Sequence, residues 1–332
     1  MSAARPRRRM GLIAPFAILG LLFAVYSAYW VWMAGALTDG VEDWIEDQRA
    51  LGYRMEHQGL EMRGYPLRFS LHVERPEIEP PRRLWAWRSE TLILSAMPYN
   101  LNHVIAQSPG EHQFNGLDGR NYSATSTGAA ASLSWNSETL KRFSLVIPEA
   151  TVLAYGQPYS RIEELGLHVS PMPDAPEDIR ILAQAALIDL PRAPADAPWL
   201  GEALGPFRVP IAIENGFAAL NTRDPLRALH ELDVQMQSPL AMLDWGPLLL
   251  RTKTTLGVDA AGRPEGIIEL RFEEIEALEA AMKDAGELTI EIQAGLAALK
   301  GLTRDDSFAP ITFEDGQAKI GLIPLGDLRS IY

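Results

Sequence analysis

Residues 64–80, GYPLRFSLHVERPEIEP, decide how the chain is built. Gly64, Tyr65 and Pro66 make a turn. Leu67, Phe69, Leu71 and Val73 then point one way while Arg68, Ser70, His72 and Glu74 point the other, and spaced prolines end the run. Successive side chains leave a strand on opposite faces, so strict alternation of this length predicts a half-exposed antiparallel strand.

The same grammar recurs downstream. Leu165, Leu167 and Val169 alternate with Gly166, His168 and Ser170, and Leu232, Val234 and Met236 alternate with Glu231, Asp233 and Gln235. Leu256 and Val258 lead through DAAGRPEG to Ile268, Leu270 and Phe272, and Ile311 and Phe313 lead through EDG to Ala318, Ile320 and Leu322. Both read as hairpins, the second turning at Asp315-Gly316. Residues 89–97 and 145–155 are less regular and read as strands covered on both faces. Residues 179–190 form another, inside a proline-rich stretch read as long loops of one sheet system. Upstream, Tyr53 and Met55, then Leu60 and Met62, predict one strand bulged at Gly59.

Ahead of the strands stands MSAARPRRRMGLIAPFAILGLLFAVYSAYWVWMAGALTDG. A basic cluster, Arg5, Arg7, Arg8 and Arg9, precedes an uncharged apolar run over 11–35. Such a run exceeds the roughly 20 residues that cross a bilayer core as a helix. Tyr26, Tyr29, Trp30 and Trp32 sit at its far end, where aromatic rings favour the membrane interface. With Arg7, Arg8 and Arg9 cytoplasmic, the remainder lies outside. A cleaved signal peptide, with Ala34-Gly35-Ala36 as its small-residue site, is the competing reading, and it exports the rest equally. Residues 36–52 read as an acidic amphipathic helix, Leu37, Val41, Trp44, Ile45, Gln48 and Leu51 on one face; its acidity suits docking onto protein rather than lipid.

Two short helices, 274–284 and 288–300, separated at Ala285-Gly286, are expected to cap the sheet. At 332 residues, 47% hydrophobic and 22% charged, the chain suits a folded body with a sizeable core. A formal charge of −13, in spite of the N-terminal arginines, disfavours nucleic acid and anionic bilayer surfaces as partners of that body. Cysteine is absent, so no thiolate site or disulfide exists.

No phosphate loop, nucleophile elbow, zinc-helix motif or calcium loop is present. The six histidines lack metal-ligand spacing. Asp305, Asp306 and the acids of 39–47 read as solvated surface, and residues 116–128, GLDGRNYSATSTG, as a surface loop. The sequence therefore assigns no catalytic residue, metal or cofactor. What remains is the apolar face of the strands. Either it is sealed core, or part of it lines an open groove for acyl chains, with Leu67, Phe69, Leu71, Val73, Ile268, Leu270 and Phe272 as wall candidates.

GYPLR at 64–68, Trp85-Ala86-Trp87, Met97-Pro98-Tyr99-Asn100, GRPEG at 262–266, Asp315-Gly316 and GLIPLG at 321–326, in that order, resemble the family catalogued as domain of unknown function 2125. The resemblance implies a proteobacterial protein with one N-terminal membrane helix and a β-rich body distantly similar to AsmA-like envelope proteins. It supplies no catalytic residue. Residues 1–35 are then a cytoplasmic tip and inner-membrane anchor, 36–52 an acidic helix, and 53–332 a periplasmic body. The expected fold is α+β, mainly β: a curved, mostly antiparallel sheet with a few capping helices. Three functions follow: a non-enzymatic binder or conduit of membrane lipid, a scaffold for other envelope proteins, or a hydrolase with dispersed residues.

Overall fold

The structure, a computed structural model, describes residues 10–136, 139–220, 225–303, 307–321 and 323–330. Arg7, Arg8, Arg9, Asp305, Asp306 and Leu322 lie outside the described residues. A single helix, α1 (Met10–Ala50), precedes everything else. No break separates its apolar half from its acidic half, so the membrane-length run and the expected acidic helix are one rod about 60 Å long by the usual rise of about 1.5 Å per residue.

An antiparallel meander follows, a 21-stranded sheet in which each passage pairs with its sequence neighbours. The first five passages are each broken in two: β1 (Arg54–Glu56) and β2 (Gly59–Arg63), β3 (Phe69–Glu74) and β4 (Glu77–Glu79), β5 (Ala86–Ser89) and β6 (Thr91–Met97), β7 (Asn100–Gln107) and β8 (Glu111–Asn115), β9 (Asn121–Thr127) and β10 (Ala130–Asn136). Next come β11 (Thr139–Ala154), β12 (Gln157–Pro171), β13 (Ile179–Ala185), β14 (Leu187–Asp189) and β15 (Ala203–Ile213). Two short helices, α2 (Gly216–Leu220) and α3 (Pro225–Glu231), precede β16 (Met236–Trp245), β17 (Leu248–Val258) and β18 (Pro264–Glu273). Then α4 (Ile275–Asp284) and α5 (Ile290–Leu302) lead to β19 (Ala309–Glu314), β20 (Gln317–Ile320) and β21 (Ile323–Asp327).

The breaks form a line across the sheet. In β2–β3–β6–β7–β10–β11, the row Met62, Leu71, Leu94, Ala106, Ala131 and Leu145 shares one face. In β1–β4–β5–β8–β9, the row Met55, Ile78, Trp87, Phe114 and Tyr122 does so. Along most passages these two sets differ by an odd number of residues. Without an inserted residue, period-2 alternation would send one set to the other face. Arg75 and Glu164 at φ 45° and 52°, and Gly128 at φ 72°, mark such insertions, while Pro148, Ala186 and Gly205-Pro206 continue the line. A bulge adds one residue, bends the strand and increases its twist. The apolar side thus stays on one face across a bent sheet.

Several expectations change here. Residues 53–63 are not one strand bulged at Gly59: β1 pairs with β4 and β2 with β3, because the chain crosses the bulge line between them. Residues 116–128 are not a surface loop, since most of them form the β8–β9 turn and β9 itself. Leu232 and Val234 precede β16, and Val234 is buried beneath α2 and α3 with Ala219 and Ala228. Trp44 and Leu51, expected on the docked side of that helix, are exposed, Leu51 lying just past the end of α1, while Ile45 is buried.

Burial is divided among separate clusters. Trp30 stacks on Phe69 with ring centroids 5.2 Å apart, and Ala34, Met62 and Leu101 complete that cluster. At the far end, Ile275, Leu278 and Leu296 of α4 and α5 pack against Phe272, Leu248 and Trp199. Thr289 caps α5, its side chain accepting from the Ile292 N–H.

The β19–β20 turn holds Asp315 at φ 53° and Gly316 at φ 75°, the doubly left-handed geometry of a two-residue hairpin loop. A Cβ at residue 316 would run into the Arg263 guanidinium. Gly316→Val is expected to lower stability by roughly 1–2 kcal/mol, because a β-branched residue is placed in the left-handed region. An unchanged unfolding midpoint would contradict this turn assignment. Phe69 is 2% exposed, so Phe69→Glu buries an unpaired carboxylate against Trp30. It is expected to abolish cooperative unfolding of the β2–β3 region, whereas Leu117→Glu, at a site 78% exposed in the β8–β9 turn, should leave the melting curve unchanged.

Candidate functional site

The sequence-derived wall candidates separate on inspection. Phe69, Leu71 and Val73 are buried, Phe69 directly beneath α1, and they form core rather than an accessible groove. Leu67 lies in the turn before β3 and is exposed. Phe272 packs under α4 and α5, while Ile268 and Leu270 are half-buried in β18. Both groups nevertheless belong to one face. Leu145 pairs with Leu167, Leu167 with Ala183 and Ala183 with Val209; then Phe207 pairs with Leu243, Leu243 with Leu250 and Leu250 with Phe272. An apolar strip therefore runs from α1 to α4 and α5.

Between those covers the strip is half-open. Val104, Phe143, Leu167 and Val209 are only partly buried, and Leu133 is 42% exposed. Where the strip crosses the bulge line it deepens into an open cleft of about 380 Å³. Leu92, Ala106, Ala131, Leu145 and Ile147 line one side of the line, and Trp87, Phe114, Ala124, Val152 and Ile162 the other. The room comes from small side chains, Ala106, Ala124, Ala129, Ala130, Ala131 and Ala150, framed by large apolar ones. Sequence reading missed them because alanine contributes little to an apolar period. The available signal was the run Gly128-Ala129-Ala130-Ala131 inside a strand-like context.

His112 enters the cleft without making it polar. The Trp87 and Phe114 rings lie near-parallel to its imidazole, with centroids 6.2 and 6.3 Å away. The Trp87 indole N–H lies 3.3 Å from Nδ1, which accepts, and Nε2–H donates to the Ser108 carbonyl at 3.0 Å. These bonds select the Nε2–H tautomer of the neutral ring. The other sheet face is hydrophilic there: Ser70 and Ser95 hydroxyls lie 3.1 Å apart, and His103 meets Ser132 at 2.8 Å. His168 Nδ1 meets Ser144 at 3.0 Å, also on that face.

A second hollow, about 520 Å³, gathers polar groups on the opposite face around Glu56, His57, Glu77, Arg88, Glu90 and Glu111. Arg88 donates to Glu77 at 2.8 Å, and this hydrogen bond holds the carboxyl below its usual range. His57 Nδ1 is buried there without a hydrogen-bond partner among the described residues. No group of three or more histidines and carboxylates arranged to hold a metal occurs among the described residues.

At the N-terminal end, α1 is long and apolar enough to cross a bilayer, a test that a signal sequence also passes. Trp32 is exposed and Tyr29 partly so, but Trp30 faces the sheet rather than lipid. No curated protein and no solved structure matches the chain. Residues 30–329 match the family described as an uncharacterized protein conserved in bacteria, DUF2125. The match runs from the helix residue that stacks on Phe69 to the segment beyond β21, so the chain is a member of the DUF2125 family.

Proposed function

We propose that this protein binds membrane lipid, without catalysing a reaction, by laying acyl chains along the apolar strip of its sheet. The observation that carries the reading is the open cleft at the bulge line, lined almost wholly by carbon and continuous with the half-exposed strip on either side. Apolar patches left open on a folded body mark binding surfaces, and a cleft with few polar groups suits a hydrocarbon chain better than a polar metabolite. In this reading α1 is a retained inner-membrane anchor, the body lies in the periplasm, and the protein handles lipid in the envelope. The body's acidic balance accords with a partner other than nucleic acid.

Lipid carrying a photoreactive acyl chain, incorporated into cells making the full-length protein, is expected to crosslink to β6–β12 as well as to α1. Ala106→Trp and Ala131→Trp fill the cleft and should reduce crosslinking to β6–β12 several-fold while leaving crosslinks to α1 unchanged. Thr125→Trp, at an exposed site on the opposite face of β9, should reduce neither. Crosslinks confined to α1 in the unsubstituted protein would remove the lipid reading. Crosslinks from β6–β12 to another envelope protein would favour the scaffold.

The orientation has its own test. A periplasm-dependent reporter fused after Tyr332 should be active, and the mature N-terminus should retain Arg5. Activity only of a cytoplasmic reporter would reverse the topology, and a mature chain starting near Leu37 would replace the anchor with a signal sequence.

A further inference from the structure

α1 runs along the sheet from one end to the other. Its Tyr26 hydroxyl donates to the Pro66 carbonyl, its Ser27 hydroxyl lies 2.6 Å from that of Tyr65, and its Tyr29 hydroxyl donates to the Pro98 carbonyl at 3.2 Å. Phe23 and Tyr65 rings meet at 6.5 Å. These contacts involve the β2–β3 and β6–β7 turns, which share one end of the meander. At the other end, Arg49 of α1 donates to the Met55 carbonyl at 2.8 Å.

A helix entering a bilayer near Met10 leaves the hydrocarbon core after roughly 20 residues, close to Trp30. The residues that grip the two turns, Phe23 to Trp30, therefore lie within the outer part of the span. The turns cannot stand clear of the membrane while holding them. Their outermost side chains suit that position: Leu67 is 78% exposed and Tyr99 86% exposed, with Arg68 exposed beside Leu67. An aliphatic side chain, a tyrosine and an arginine exposed on turns at the same end of the meander suit the membrane interface, where apolar, amphipathic aromatic and cationic groups each find a partner. A body of net negative charge would otherwise be repelled by anionic lipid.

We infer that the β2–β3 and β6–β7 turns form a second membrane contact, Leu67 and Tyr99 entering the outer interface of the same bilayer that α1 crosses. The sheet then stands on the membrane on two turns and a helix, which fixes its tilt. The inference rests on the anchor reading of α1 but not on lipid in the cleft.

The chain lacks cysteine, so single-cysteine variants label cleanly. Full-length protein carrying Leu67→Cys, Tyr99→Cys, Leu21→Cys or Leu117→Cys is labelled with an environment-sensitive fluorophore. It is reconstituted in vesicles of phosphatidylethanolamine and phosphatidylglycerol. Leu117 lies in the β8–β9 turn at the opposite end and is exposed. Labels at 67 and 99 are expected to be quenched by spin-labelled lipid with the spin near the headgroup and shielded from aqueous iodide. The label at 117 should behave in the opposite way, and that at 21 should be quenched by a spin deep in the acyl chain. Labels at 67 and 99 that follow the one at 117, with 21 still deep, overturn the second contact alone. A label at 21 open to iodide overturns the anchor reading and this inference with it.

Discussion

Where a strand bulges at the bend of a sheet, its apolar side chains stay on one face only if the sequence pattern shifts by a residue at the bulge. Period-2 alternation leaves no other local solution: a strand continuing in phase through a bulge would present its next apolar residue to solvent. The line from Arg75-Pro76 through Gly128, Pro148 and Glu164 to Gly205-Pro206 is that constraint met strand after strand. Because successive passages bulge at neighbouring positions, the small local bends add rather than cancel. The cleft lies where they add, with Leu92 and Leu145 on one side of the line and Trp87 and Val152 on the other.

The second determinant is a shortage of cover. Among the described residues, helices cover the sheet at separate places: α1 over Phe69, α2 and α3 over Val234 and Ile213, and α4 and α5, with Trp199, over Phe272. Between them much of the apolar strip is only partly buried, Val104, Phe143, Leu167 and Val209 among its residues. Apolar surface moved out of water is worth about 25 cal/mol per Å², so in the proposed reading an acyl segment covering the open lining of the cleft would recover part of what the protein's own side chains leave unrealised. Ordering the chain offsets part of this gain, which suits reversible occupancy better than permanent retention.

Much of this architecture was legible in residue alternation. The strand after Gly64, the Asp315-Gly316 hairpin, the β17–β18 hairpin and the helix pair around Gly286 follow from period, turn chemistry and caps, all local properties. The bulge line was not legible, because an inserted residue in one strand looks like a break or loop until its neighbours are seen to break beside it. That is why residues 53–63 read as one strand and 116–128 as a loop. The cleft escaped for a related reason: its floor is alanine and serine, whose contribution depends on being small next to Trp87 and Leu145. Phe69, Leu71 and Val73 were read correctly as one face, but whether a helix covers that face is a tertiary property. The alternation is identical in either case.

α1 joins these features. Its first half has the composition of a membrane span, yet its aromatic end does more than mark an interface: Trp30 fills the gap over Phe69, and Tyr26 and Tyr29 hold the neighbouring turns through their hydroxyls. Burying a tyrosine ring while satisfying its O–H requires a carbonyl at a fixed height, and the Pro66 and Pro98 carbonyls supply two. The acidic half then continues along the sheet as far as Met55, at the end of the meander away from the β2–β3 turn. Beyond this cover the face becomes accessible only farther from α1, toward the small residues of β7, β9 and β10. Coverage and the position of the opening are therefore consequences of one helix that continues, without a break, from an apolar half of membrane-spanning length into an acidic half laid along the sheet.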